Sequence, residues 1–165
     1  MELRRGAFFD RDGVINVSPE PGRYVRSWEE FQLIPEAVEW IRLFNAIEMP
    51  VIVVTNQRGI SRGLVNSVEL ARIHSNMRAE LSRRGARVDD VYHCPHEENE
   101  CDCRKPGPEM FYQAARKWKL DLRRSVVLGD SWRDRDAAAK IGAHFVAVRE
   151  GHLIGVLPQT QLLAY

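Results

Sequence analysis

The 165-residue sequence contains no apolar run near the ~20 residues that a membrane span needs. It has almost no net charge: 24 Lys and Arg stand against 23 Asp and Glu, for a formal +1. A general nucleic-acid binder rests on a basic surplus, and with no interleaving of basic and aromatic residues either, that class is excluded. Internal repeats and low-complexity tracts are missing, which leaves the length to a single domain, residues 1–165, with one well-buried core. The N-terminus is basic and then briefly apolar, but Asp10 cuts it too short for a signal peptide. These absences lead us to expect a cytoplasmic monomer without a membrane or nucleic-acid partner. Cysteine is scarce too, and in a reducing compartment clustered cysteines serve metals or catalysis more often than disulfides.

What is present alternates. Short apolar runs at Ala7–Phe9, Val51–Val54, Asp90–Tyr92, Val126–Leu128 and Phe145–Val148 read as strands. Helical patterns lie between them: one from Pro35 to before Pro50, one capped by Asn66 with Glu69 in a capping-box pattern and stopped by Gly85, one from Pro108 to Trp118, and one from about Arg135 to Ile141. The alternation predicts βαβ units, hence an α/β fold: a Rossmann-like three-layer sandwich with a mostly parallel central sheet. The proline-rich stretch Val17–Arg23 reads as the loosest segment, and the tail after Gly151 shows no pattern.

Chemistry-bearing residues follow the strands. Asp10 follows the first, Thr55 the second, Arg104 and Lys105 lie beyond the third, and Asp130 follows the fourth. Ligands of open α/β sheets bind at the carboxyl ends of the strands, so these groups would share one edge. Acids and threonine also end strands as ordinary turn formers and caps, which accounts for any one of them better than for four. In "FFDRDG", Asp10 and Asp12 would point the same way from an extended backbone. Two adjacent carboxylates repel unless a hard cation such as Mg²⁺ joins them, and Gly13 permits a sharp turn close to a ligand. Asp130 and Asp134 in "GDSWRD" add oxygen donors.

"FFDRDG", "VVTNQ", "RKP" and "GDSWRD" resemble, in order, the four motifs of the haloacid dehalogenase (HAD) superfamily of phosphohydrolases, over roughly residues 7–148. The resemblance implies that Asp10 is the nucleophile and Asp12 the general acid and base. It also implies Mg²⁺ held by the Asp10 side chain, the Asp12 carbonyl and Asp130. Thr55 and Lys105 would hold the phosphoryl group, with Asp134 in support and Asn56, Gln57, Arg58 and Arg104 binding substrate. The short interval between the first two motifs leaves no room for a sizeable cap, so a capless form is expected, open to small phosphorylated metabolites.

The three cysteines sit in "CPHEENECDCRKP". Cys94 with His96 and Cys101 with Cys103 make a Cys₃His set, a closed tetrahedral type for structural Zn²⁺. The reading of three thiols clustered by chance, or of a strained Cys101–Cys103 disulfide, is weaker. Such a loop resembles that of two capless groups of the superfamily, which act on heptose bisphosphates and on histidinol phosphate. The brief spacing from His96 to Cys101 resembles the histidinol group. "RYVRSWEEF" and "TNQRGISRG" resemble the heptose group, and Arg58 would attract a second anion rather than an amine. Ser131 stands where both groups commonly carry a basic residue. The heptose ester is the expected substrate, and histidinol phosphate the alternative. A phospho-Asp receiver domain is the non-enzymatic rival, disfavoured because its paired acids and its phosphorylated Asp lie on different strands.

Overall fold

The computed structural model describes residues 3–155. Among them six strands form one sheet in the order β3-β2-β1-β4-β5-β6. These are β1 (Ala7–Phe9), β2 (Val51–Asn56), β3 (Asp90–Cys94), β4 (Val126–Gly129), β5 (His144–Arg149) and β6 (His152–Ile154). The first five are parallel and β6 runs antiparallel to β5. The sheet runs on past the apolar runs because ladder pairing, rather than side-chain polarity, decides where a strand stops. The Thr55–His93 and Asn56–Cys94 pairs carry chemistry-bearing residues inside the ladder. Strand β6 falls within the tail that shows no pattern in the sequence, a strand too short to leave a periodicity; residues 156–165 lie outside those described.

Side-chain alternation builds the layers. On β1, Phe8 meets Phe111 edge-on at 5.1 Å, while Phe9 meets Phe44 at 5.9 Å on the opposite face. The Phe9 face is covered by α1 (Pro35–Ala46), through Val38, Ile41 and Phe44, and by α2 (Ser67–Arg83), through Ile73, Met77 and Leu81. The Phe8 face is covered by α3 (Glu109–Trp118) and α4 (Trp132–Ile141), through Met110, Phe111, Ala114, Ala137, Ala138 and Ile141. This is the three-layer sandwich that the alternation predicts. No helix among the described residues is long and apolar enough to cross a membrane.

Two helix caps differ from expectation, although α2 starts where expected. Asn66 caps α2 by accepting from the Glu69 amide at 2.7 Å, which is one half of a capping box. The complete box is at α4, which begins at Trp132 rather than near Arg135. Ser131 accepts from the Asp134 amide, and the Asp134 carboxylate accepts from the Ser131 N–H at 3.2 Å. The S-x-x-D signal is present in the sequence, but Asp134 there also reads as an oxygen donor near the site, which draws attention away from its capping role.

The order β2-β1-β4 places the reversal of strand direction in the winding at β1. Ligand crevices form at that switch point. A receiver domain winds in the order 2-1-3-4-5, so the topology excludes that rival.

Candidate active site

Asp10 leaves the end of β1 between Val53 of β2 and Leu128 of β4, the partners of Phe9 in the two flanking ladders. Its carboxylate, with those of Asp130 and Asp134, offers oxygens that all lie within 4.8 Å of one another. Two features make this approach possible. Gly13 adopts φ +86, and a Cβ there would sit 1.8 Å from Asp130 Oδ2, so the acidic loop and the β4 end can close only over a glycine. Lys105 enters from below, buried, and its ammonium reaches Asp134 Oδ1 at 2.6 Å, Asp10 Oδ1 at 3.0 Å and the Val54 carbonyl at 2.7 Å. All three ammonium protons thus have acceptors. Asn56 brackets the lysine's backbone, accepting from its N–H at 2.9 Å and donating to its carbonyl at 3.0 Å.

The charge balance is visible in the acidities. Burial raises the Asp10 pKa well above the usual carboxylate value; Asp134, Asp130 and Asp12 push it the same way against the pull of Lys105. Asp130 rises to about 6, by burial and by Asp134. For Lys105 burial opposes the charge, but Asp10 and Asp134 outweigh it and hold the ammonium above its ordinary value. Three carboxylates and one ammonium leave the cluster short of positive charge. A hard divalent cation fits this donor set on charge and on ligand type.

Asp12 is outside that cluster. Its Oδ1 accepts from Arg11 Nε and Nη2 at 3.2 and 2.9 Å and from Asn16 at 2.9 Å, and its Oδ2 accepts from Gln57 at 3.0 Å. Burial raises its pKa, but Arg11 and these donors more than cancel that and hold it below the usual value. Gln57 is buried and also donates to Thr55 Oγ1 at 2.9 Å, so both of its amide bonds brace the site from behind. Above these groups opens a cavity of about 270 Å³ lined by Asp10, Asp12, Ser18, Asn56, Arg104, Lys105, Asp130, Ser131 and Arg133.

Arg58 is drawn toward the cysteine loop. Its Nε reaches the Tyr24 hydroxyl at 3.3 Å, and its Nη1 lies 3.6 Å from Glu97 and 3.8 Å from Glu98. Glu98 also accepts from Arg133 at 2.8 Å. Burial lowers the Arg104 pKa, and Arg58 and Arg133 lower it further by repulsion. Sequence reasoning singled out Arg58 and Arg104 but missed Arg133 and Ser18. Only the early start of α4 carries Arg133 to the cavity mouth, and Ser18 has no spacing signal.

The cysteine loop is compact. Cys94, His96, Cys101 and Cys103 each offer an atom within 4.8 Å of the others, and the three thiols are free. Sulfur–sulfur separations are 3.0–3.5 Å and His96 Nδ1 lies 3.3–3.5 Å from Cys103 and Cys94. A tetrahedral ion with metal–sulfur bonds of ~2.3 Å has ligand–ligand edges slightly longer than these, so a metal fits after a small outward adjustment. The loop turns tightly: a Cβ on Gly107 would lie 2.2 Å from the Asp102 carbonyl. The Arg104 amide points at Cys101 Sγ at 3.4 Å, tying the loop to the residue that precedes Lys105.

Comparison with known proteins agrees with this geometry. Residues 102–153 match a family model described as HAD-hydrolase-like. The chain is 40% identical over 147 residues to a D-glycero-beta-D-manno-heptose-1,7-bisphosphate 7-phosphatase of Rhodopseudomonas palustris, covering 84% of this chain and 80% of that protein. It is 35% identical over 133 residues to the alpha-anomer enzyme of Campylobacter jejuni, covering 81% and 75%. A crystal structure of D,D-heptose 1,7-bisphosphate phosphatase from Bordetella bronchiseptica, complexed with magnesium and phosphate, superposes with a TM-score of 0.79 at 35% identity, covering 86% of this chain and 78% of that one.

Proposed function

The chain belongs to the haloacid dehalogenase family of phosphatases, and on that premise we propose that it removes the 7-phosphate of a D-glycero-D-manno-heptose 1,7-bisphosphate. Asp10 attacks phosphorus and the bond to the sugar oxygen breaks, leaving an aspartyl-phosphate. Asp12 gives its proton to the departing oxygen, then takes one from the water that hydrolyses the intermediate. Arg11 holds Asp12 ionised in the free protein; the negative charge of a bound phosphoryl group raises its affinity for a proton, so uptake accompanies binding. Lys105 and the Thr55 hydroxyl hold the phosphoryl oxygens.

Asp10, the Asp12 carbonyl and Asp130 would hold Mg²⁺, with Asp134 behind them, as the donor set and the magnesium complex of the Bordetella relative support. Bound there, the cation supplies positive charge that lets the carboxylates remain ionised beside a phosphate. Cys94, His96, Cys101 and Cys103 would hold a Zn²⁺ with no open position, hence structural.

The observation that supports the substrate reading is the pair Arg104 and Arg133 in the cavity lining, with Arg58 close enough to depress the Arg104 pKa. Glu97 and Glu98 offset part of this charge, and an anion beyond the reacting phosphate would complete the balance. A phosphate-release panel of heptose bisphosphate, histidinol phosphate and common sugar monophosphates tests it. The bisphosphate should have the highest kcat/KM. Arg58→Ala should lose about 1.5–3 kcal/mol of transition-state stabilisation on it, as for a charged hydrogen bond, and much less on a monophosphate of the same sugar. Preference for histidinol phosphate would overturn the substrate assignment.

A further inference from the structure

Arg11, between the two aspartates, is 0% exposed and among the largest fully buried side chains, yet the reaction described above gives it no task at the phosphoryl group. A guanidinium withdrawn from water demands partners for its donors. Two of them, Nε and Nη2, converge on one oxygen, Asp12 Oδ1. A third, Nη1, meets His74 Nε2 at 3.1 Å. Arginine only donates, so Nε2 is the acceptor; the imidazole is neutral and carries its proton on Nδ1. His74 comes from α2, whose buried stripe of Leu70, Ile73, Met77 and Leu81 anchors it to the core. The chain of contact therefore runs from the core, through His74 and Arg11, to Asp12.

The two oxygens of Asp12 are not equivalent. Oδ1 receives three donors, from Arg11 twice and from Asn16, whereas Oδ2 receives only Gln57. A carboxylate oxygen offers about two lone-pair directions, so Oδ1 is saturated and Oδ2 retains one. We infer that Arg11, backed by His74, is a positioning residue that locks the Asp12 carboxylate and assigns proton transfer to Oδ2. The inference rests on the reading of Asp12 as general acid. Asn16 and Gln57 complete the lock, Gln57 being held in turn by Thr55 of β2 and the Cys94 carbonyl of β3.

Leaving groups separate this role from a merely structural one. An aryl phosphate such as p-nitrophenyl phosphate expels a stable anion and needs little help from an acid; a sugar phosphate expels an alkoxide and needs a proton. The quantity to measure is kcat/KM on both esters, which reports events through phosphoryl transfer to Asp10. Arg11→Lys keeps the charge and loses the fork. It should fall at least about tenfold further on the sugar ester than on the aryl ester, a modest part of the roughly 10²–10⁴ that general acids contribute. His74→Gln, which keeps an acceptor for Nη1, should retain the wild-type ratio of the two esters, and His74→Leu should shift toward Arg11→Lys. Should Arg11→Lys not fold, the His74 pair carries the test. Equal losses on both esters, or no loss on either, would overturn the inference. Asp12→Asn serves as the control: if it fails to discriminate between the esters, the general-acid reading itself falls, whereas discrimination by Asp12→Asn but not by Arg11→Lys refutes the Arg11 role alone.

Discussion

The protein has two clusters suited to metals, and they are assembled in opposite ways. The sulfur cluster draws all its ligands from ten consecutive positions, Cys94 to Cys103, mostly on a polar loop. The carboxylate cluster draws Asp10 from the end of β1 and Asp130 and Asp134 from the end of β4 and the first turn of α4, with Lys105 beneath. A local cluster needs its ion to order its own loop, because few apolar contacts do so; metal binding there is folding energy. A cluster gathered by a sheet is positioned by the core, and the core holds like charges closer than they would choose. The raised pKa values of Asp10 and Asp130, set first by burial and then by the neighbouring carboxylates, record that cost. Lys105 stands between the two regimes. Its neighbour Arg104 is tied to Cys101, but the lysine itself is held by Asn56, Asp10, Asp134 and Val54, none of them from the cysteine loop.

The sharpest break should come from Asp10→Asn. An amide oxygen is a poor nucleophile, so kcat should fall roughly a thousandfold or more while circular dichroism and Tm stay close to wild type. A variant keeping a tenth of wild-type kcat would refute the covalent route and with it the claim that this cluster is built for chemistry.

Cys101→Ser should do the reverse. One zinc per chain is expected in the wild-type protein by elemental analysis. The variant should lose most of that metal and about 2 kcal/mol of stability, or about 5 °C in Tm, with a smaller loss of kcat than Asp10→Asn. Weakened phosphate binding should accompany it through Arg104. A protein free of zinc as purified, with unchanged Tm in the variant, would remove one side of the comparison.

An effect of similar size, but seen only as pH falls, concerns acid stability. Burial, and then Arg11 and His93, lower the His74 pKa from its ordinary 6.5 to about 3, so the folded state favours the neutral ring. The unfolded chain takes up the proton first. The contribution is therefore present in full above 6.5 and drains away as pH falls toward about 3. Between pH 7.5 and 5 the loss from this group is about 2 kcal/mol. Denaturant titrations of His74→Gln, which cannot titrate, should lose about that much less than wild type over the same interval. Parallel losses would show that the ring is not held neutral.

The alternation of apolar runs and helical periods determined the layers, since a strand between two helical faces must send Phe8 one way and Phe9 the other. Motif order placed Asp10, Thr55 and Asp130 at strand ends and Lys105 beyond the third strand, and the spacing of Cys94, His96, Cys101 and Cys103 announced a local cluster, because ligands a few residues apart need little help from the fold. Where α4 starts was equally local, but the S-x-x-D signal at Ser131 competed with the chemistry of Asp134. Other features had no local cause. That β1 lies between β2 and β4, that Gly13 must admit the Asp130 carboxylate, and that Arg133 and Glu98 meet at the cavity mouth all depend on segments distant in the chain. The same holds for Arg11. In the sequence it is a charged residue beside two others, with every reason to face water. Burial between Asp12 and a histidine 63 positions away is decided only when α2 packs on the sheet, since a buried guanidinium is tolerable only where the tertiary structure brings acceptors to it.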